Sequence, residues 1–460
     1  ERIKKLMEKS DYMRFSREAF LEALAPYRLI DIRDSSGNRA SNLIYQLREE
    51  EEKKWLFIAH VHKMENPDVP NRENVIIYIK GTWSVTEYNA LDAAITTLPC
   101  RYQEGMTVID KTFYEQDSLL IGLELFGNSE KGKSEIDKNV AVKEEKDNFT
   151  NSETRLTQEK FVPVTLEEPN VCVLDMAEYC FDDGKWNPEE EVLRIDNLFR
   201  KKLGYPLRME AYAQPWTVPA EERNETAHTL KLRFRIKSEV SVNDVELGME
   251  NADKAIIRIN GAAAEQAEGY YVDPCVQKRR LGRLECGDNE LEVEIPYSRT
   301  TNVEAMYLLG RFGVRVEGAS TTITEPVCEL AFDSIVAQGL PFYGGNFTYH
   351  VETNLQKEEE IVLSVSKYRA PLLQVGVDGN NKGYIAFSPY CLNLGRLSEG
   401  SHMIDIKVFG NRINTFGSFH NCDENTEWYG PESWRTTGKS WAYEYQLKRM
   451  GILKAPTVKI

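Results

Sequence analysis

Between residues 411 and 445 the chain gathers side chains that could do chemistry: N-R-I-N-T-F-G-S-F-H-N-C-D-E-N-T-E-W-Y-G-P-E-S-W-R-T-T-G-K-S-W-A-Y-E-Y. Three of its seven tryptophans, Trp428, Trp434 and Trp441, fall there among Gly, Pro, Ser and Asn, the residues of loops. A sugar ring presents apolar C–H faces and an edge of hydroxyls, so it needs an aromatic platform on one side and hydrogen-bonding groups at its rim. Trp428, Tyr429 and Trp434 are the candidate platforms, and His420, Asn421, Asp423 and Arg435 the candidate rim. Trp441, Tyr443 and Tyr445 alternate like a final strand and are expected in core and rim positions. For Trp428 and Trp434, loop packing and packing against another domain stand beside the binding role.

Hydrolysis of a glycosidic bond needs two opposed carboxylates on a rigid scaffold. With 73 acidic residues some pair always looks plausible, and no βα alternation marks a barrel, so no catalytic residue is nominated. His60 and His62 form H-x-H on a strand, which could pair two imidazoles, but the sequence suggests no third ligand. No metal site or cofactor is therefore expected, with structural calcium left open. The glycines of 261–269 and 379–383 are turn residues, because no helix start follows them as a phosphate loop requires. Asn148, Asn224 and Asn346 open glycosylation sequons that matter only in a eukaryotic secretory route.

The elements that must position these groups belong to a chain of 460 residues, long enough for about two to four domains. A net charge of −16 opposes phosphate backbones and anionic lipid, and the short run Lys278–Arg280 fits a solvated turn. Neither nucleic acid nor membrane is expected as a partner. Eight scattered cysteines without a C-x-x-C suggest free thiols and favour a reducing, cytoplasmic setting, although a chain beginning at Glu1 with no signal peptide shows no targeting sequence. It resembles a piece cut from something longer.

Residues 1–38 suggest the tail of a preceding α/β subdomain: a helix ended by Pro26, then the strand R-L-I-D-I-R. Short β-branched and aromatic runs across 39–128 predict a small antiparallel β-sandwich, and 129–165 a charged linker or long loop. Residues 166–325 and 326–460 are expected to form two further sandwiches. The first carries an inserted helix at 187–204, with Asn187 as N-cap, Pro188 in its first turn and Gly204 at its exit.

The last two segments share a repeat. L-G-R-L occurs at 281–284 and 394–397, and from Leu281 to Ile295 the pairing with Leu394 to Val408 needs no gap. Gly287 falls on Gly400; Leu291, Val293 and Ile295 fall on Ile404, Ile406 and Val408. Upstream, I-R-I-N-G at 257–261 matches V-G-V-D-G at 375–379, each a strand entering a hairpin turn. The unit predicted is strand, tight turn, strand, one helical turn, Gly-led turn, strand.

Gly287-Asp288-Asn289-Glu290-Leu291-Glu292-Val293 resembles the G-x-N-x-L-x-V pattern of galactose-binding-like β-sandwiches, including the sugar-binding domain of family 2 glycoside hydrolases and relatives in α-L-rhamnosidase-type enzymes. The second copy departs, with His402 where Asn is usual. The wider order is similar to the C-terminal region of large bacterial glycoside hydrolases. That resemblance implies a mainly β architecture: a small β-sandwich followed by two galactose-binding-like jelly rolls, with a short N-terminal α/β remnant. It implies an ancillary role, bracing a catalytic domain located upstream and contacting carbohydrate. The alternatives are a non-catalytic lectin-like protein and a structural scaffold.

Overall fold

The computed structural model describes residues 16–51, 53–62, 72–90, 93–125, 153–208, 219, 228–423 and 437–459. The protein is mainly β, in sheets that are antiparallel but for one short parallel pairing, with two α-helices among the described residues. Its contacts divide it into two units, residues 1–149 with 387–390 and residues 150–386 with 391–460.

In the first unit two sheets face each other. One runs Ile30–Asp34, Arg72–Lys80, Met106–Tyr114, Arg101–Gln103; the other runs Leu43–Glu50, Lys53–His60, Ser118–Leu125, Trp83–Tyr88, Ile95–Thr97. Alternation does the work: Val75, Ile77 and Ile79 of one sheet and Leu56, Ile58, Leu119, Ile121 and Leu123 of the other bury into one core. The strand Ile30–Asp34, expected to close a preceding α/β unit, pairs antiparallel with Arg72–Lys80 and so contributes to this sandwich. His60 points Nδ1 at the Asp117 carbonyl, 3.1 Å away, and His62 lies beyond the strand end, exposed. Among the described residues no group of three His, Cys, Asp or Glu is placed to hold a metal.

The second unit holds two sandwiches with the same strand order. In one, the sheet Met176–Phe181, His228–Ser238, Gly287–Tyr297, Ile256–Ile259 faces Asn170–Leu174, Met306–Gly310, Val242–Glu250, Val276–Leu284. In the other, Val162–Leu166, Phe347–Leu355, Gly400–Val408, Leu373–Val377 faces Glu153–Arg155, Thr457–Lys459, Glu359–Ser364, Cys391–Leu397. The registers agree as well: Ile257 opposes Val293 as Val375 opposes Ile406, and Ile259 opposes Leu291 as Val377 opposes Ile404.

These pairings correct the expected boundaries. Glu153–Arg155 and Val162–Leu166 lie in the stretch expected to be linker, yet they are the first two strands of the later sandwich. The sandwich of residues 170–324 is therefore inserted into its sibling rather than placed before it. The inserted helix also starts later than expected. Asn187–Glu191 is an edge strand, and the helix is Val192–Leu203, N-capped by Glu191, with Gly204 at φ +73 ending it.

L-G-R-L is no helical turn. It sits inside a strand in both copies, and its glycine occupies a β-bulge at φ +85 (Gly282) or +80 (Gly395). In a regular strand residues i and i+3 face opposite sides; the extra residue at the bulge returns the second leucine to the core. Leu281 and Leu284 are buried together, as are Leu394 and Leu397, while Arg283 and Arg396 stay exposed.

His402 is explained by its partner. In the first copy Asn289 Oδ1 accepts from Asn260 Nδ2 at 2.9 Å, Asn289 Nδ2 donates to the Glu285 carbonyl, and Asn260 Oδ1 accepts from the Glu290 amide. In the second, Asp378 replaces Asn260 and His402 replaces Asn289. His402 Nδ1 lies 2.7 Å from Asp378 Oδ2, Nε2 lies 3.0 Å from the Ser398 carbonyl, and Asp378 Oδ1 accepts from the Met403 amide. A neutral amide pair has become an imidazole–carboxylate pair that answers two of the same backbone groups, the carbonyl of 285 or 398 and the amide of 290 or 403.

The hydrogen bond that His402 donates to Asp378, then that to the Ser398 carbonyl, raises the His402 pKa, and His402 in turn lowers that of Asp378. The folded imidazole holds its proton more tightly than the unfolded one, so this stabilisation is complete below the ordinary histidine pKa and lost as pH rises through the folded value. As pH rises from below the ordinary histidine pKa of about 6.5, the native protein should lose stability relative to the Asp378→Asn/His402→Asn variant, which restores the first copy's pair. Urea unfolding of both proteins along that rise checks it; parallel pH profiles would reject the pairing as a titrating element.

Candidate functional site

Of the seven candidate residues, His420, Asn421 and Asp423 are placed, while Trp428, Tyr429, Trp434 and Arg435 lie outside the described residues. His420 is buried beside a cavity of about 320 Å³ within the second unit. Asn421 and Asp423 stand away from it: Asn421 bridges to the Trp441 backbone and accepts the Asp423 amide at 2.9 Å.

Two strips of chain carry His420. Gly410 passes so close to the carbonyls of Gly344 and Gly345 that no side chain fits there, and this seats the start of the 411–420 segment against the turn that precedes the strand Phe347–Leu355. Asn414 then exchanges two hydrogen bonds with the Lys448 backbone, at 2.7 and 2.9 Å, and Thr415 Oγ1 donates to the Phe342 carbonyl. Phe416 packs edge-on against Tyr307, 5.1 Å between centroids. Further on, the backbone of 419–422 pairs with that of 440–446 through Gln446 to Phe419, Ala442 to His420 and Cys422 to Ser440. The expected final strand at Trp441–Tyr445 is this irregular ribbon instead.

The opposite wall is the helix Val192–Leu203, which presents Leu193, Arg194, Asn197, Leu198 and Lys201 to the cavity. A fully buried ion pair holds it in place. Arg200 Nε lies 3.1 Å from both oxygens of Asp196, Tyr297 Oη donates to Asp196 Oδ1 at 2.6 Å, and the Arg200 guanidinium donates to the carbonyls of Pro206, Arg299 and Thr301. Burial, and then the charge of Asp196, raises the Tyr297 pKa, which keeps the hydroxyl a donor.

Asp175, between two strands of the first sandwich, reaches His420 from 245 residues upstream. His420 Nε2 lies 3.1 Å from Asp175 Oδ2, and Tyr445 Oη donates to Oδ1 at 2.5 Å. Burial works to lower the His420 pKa, but the Asp175 hydrogen bond and the charges of Asp175 and Glu191 outweigh it, and the net shift is upward. Burial, then the neighbouring Asp175, pushes Tyr445 well above its ordinary range. Trp441 is enclosed, with the Arg194 guanidinium 4.3 Å from its centroid, Tyr443 edge-on at 4.4 Å and the His420 ring at 5.4 Å.

Glu191 accepts from the amides of Leu193 and Arg194 at 3.0 and 2.9 Å, and burial, opposed by those hydrogen bonds, pushes its pKa up to about 7. Glu190 is tied to Arg194 at 3.1 Å and to the Tyr443 hydroxyl at 3.1 Å. The carboxylates Asp175, Glu190 and Glu191 are thus all committed to protein partners. Asp175 and Glu191 were missed in the sequence. The one signal for Asp175 was an acid inside the apolar run Val171–Met176.

No family model matches the chain, and no curated protein matches it. Among solved structures, a rhamnosidase from Novosphingobium sp. PP1Y is similar at a TM-score of 0.39 and 9% identity, over 96% of this chain and 26% of that one. A GH31 alpha-xylosidase from Xanthomonas citri is similar at a TM-score of 0.15 and 7% identity, over 81% of this chain and 33% of that one. The chain spans about a quarter to a third of the length of these two enzymes.

Asp196→Ala strands the buried Arg200 and should cost about 3–5 kcal/mol in chemical denaturation; a loss below about 1 kcal/mol would show that the pair does not hold the helix. Glu191 carries its proton in the fold at pH values where the unfolded chain has released it. Stability should therefore fall as pH rises from about 4.5 toward 7, by up to ~3 kcal/mol relative to Glu191→Gln. Guanidinium unfolding of the two proteins at matched pH reads the difference.

Proposed function

We propose that this chain is an ancillary, glycan-contacting part of a carbohydrate-active glycoside hydrolase, and that the cavity between the helix Val192–Leu203 and the 416–420 segment takes a sugar ring. The observation that carries this reading is the mixed lining of that cavity. Tyr307, Phe416, Phe419 and Trp441 supply aromatic surface, and Arg194, Asn197, Ser418 and His420 supply hydrogen-bonding groups. At about 320 Å³ it lies at the lower end of ligand pockets, roughly 300–1,000 Å³.

The commitments of three of the four carboxylates that line it favour binding over bond cleavage. A glycosidase needs one carboxylic acid free to protonate the leaving group and a second free to attack or to activate water. Asp175 is held by His420 and Tyr445, Glu190 by Arg194 and Tyr443, and Glu191 by the helix it caps. The catalytic groups of the parent enzyme belong, on this reading, to a separate domain, and the repeated sandwiches brace it in the manner of galactose-binding-like modules.

Leu198 is 43% exposed on the helix and lines the cavity, so Leu198→Trp fills the cavity without touching the core. The native chain is expected to bind glycans on an array and to release no aryl leaving group from nitrophenyl glycosides. Leu198→Trp should weaken binding at least about 10-fold, equivalent to ~1.4 kcal/mol, at an unchanged thermal midpoint. Glycan binding that survives this substitution would remove the cavity from the reading.

A further inference from the structure

We propose that Asn197 Nδ2 is the ligand-facing donor of this cavity, and that the sugar it selects carries an acetamido group, in preference to the unsubstituted, amino or uronate counterpart. The inference deepens the glycan-binding reading and rests on it.

Asn197 lines the cavity, half-buried, from the middle of the helix Val192–Leu203. Its amide has a fixed sense. The Arg208 backbone N–H donates to Oδ1 at 2.9 Å, and an N–H can meet only the oxygen of an amide, so Nδ2 is the atom turned away from Arg208. Arg208 cannot drift off and release that contact, because its guanidinium donates to the Thr301 carbonyl at 2.8 Å and lies 3.5 Å from Asp196 Oδ2. Nδ2 itself has no hydrogen-bond partner among the described residues and is not one of their buried unpaired atoms, so it keeps surface that a ligand can reach. Arg208 is thus a positioning residue for the Asn197 amide.

The side chains left over for a ligand share that sense. Asp175, Glu190 and Glu191 are committed as described, and Glu304 is not free either. Lys201 stands one turn beyond Asn197 on the same helix face, with its ammonium in no ion pair among the described residues. A ligand for these groups must bring acceptors. An amino sugar brings an ammonium, donors against donors. A uronate brings a negative charge to a space that Glu190, Glu191 and Glu304 also line, and the half-buried donor it meets there is a neutral amide, while the cation, Lys201, is exposed. A hydroxyl can accept from Nδ2 but adds no apolar surface. An acetamido group offers Nδ2 a neutral carbonyl, gives the Ser418 hydroxyl an N–H to accept, and carries a methyl for the apolar surface of Leu193, Leu198 and Phe416.

The test is NMR titration of the whole chain with N-acetylglucosamine and N-acetylgalactosamine beside glucose, galactose, glucosamine and glucuronate. Each acetamido sugar should bind at least about 10-fold tighter than its counterparts, the scale of one buried methyl together with a matched hydrogen bond, and should shift the side-chain NH2 resonances of Asn197. Asn197→Asp keeps an oxygen for the Arg208 amide and puts an acceptor where the donor was. It should erase the preference at a thermal midpoint close to the native one, whereas Lys201→Met should leave the preference in place. Should Asn197→Asp fail to fold, the sugar series and the Asn197 resonances of the native chain decide by themselves. Equal affinity for all six sugars, tighter glucuronate binding that Lys201→Met abolishes, or a preference that survives Asn197→Asp overturns the proposal. The glycan reading outlives each of those results if Leu198→Trp still blocks binding. If no sugar binds at all, both fail.

Discussion

The ion pair between Asp196 and Arg200 fixes the geometry on which the cavity depends. Both side chains are cut off from solvent, and such burial is tolerable only because every strong group has an answer: two guanidinium contacts on the carboxylate, a tyrosine hydroxyl on one of its oxygens, and three carbonyls on the remaining guanidinium hydrogens. The carbonyls come from the chain just after the helix and from the 299–301 turn of the sheet beneath it. The pair therefore ties the helix to the sandwich in one orientation, where an apolar contact alone would let it slide. That orientation sets Arg194 over Trp441 and turns Leu198 toward the cavity.

Nesting one sandwich inside its sibling has a consequence for the site. The inserted sandwich contributes Asp175, Glu191 and the helix, and the enclosing one returns at 411–423 and 437–450 to lay His420, Trp441 and Tyr445 against them. A site assembled this way needs both sandwiches folded. It also explains the wealth of backbone hydrogen bonds along an irregular stretch. Segments without a sheet ladder must satisfy their amides individually, and Asn414, Thr415 and the 419–422 ribbon do so.

The two copies show which features a sandwich of this kind must keep and which it can exchange. The bulge glycine is kept, because only a residue at ease with positive φ lets Leu281 and Leu284, or Leu394 and Leu397, share one core face. The turn pair is exchanged as a unit, Asn260 with Asn289 for Asp378 with His402. A lone histidine opposite Asn would leave its ring nitrogens poorly matched, and a lone aspartate would be a charge without a counterion.

Strand identity, the small sandwich core and the repeat were legible in the sequence, because burial of alternate side chains writes a period of two into it and a bulge demands its glycine. Even the odd His402 was visible as a departure, though not its compensation by Asp378. The later start of the helix was hidden because N-P-E-E-E satisfies local capping rules, while the pairing of Met176–Phe181 with 187–191 overrode them. Only the tertiary structure decided that the sandwiches are nested and that Asp175 meets His420. A hydrogen bond between residues 245 positions apart leaves no local pattern, since the chain between them is specified by its own cores and not by the contact it closes.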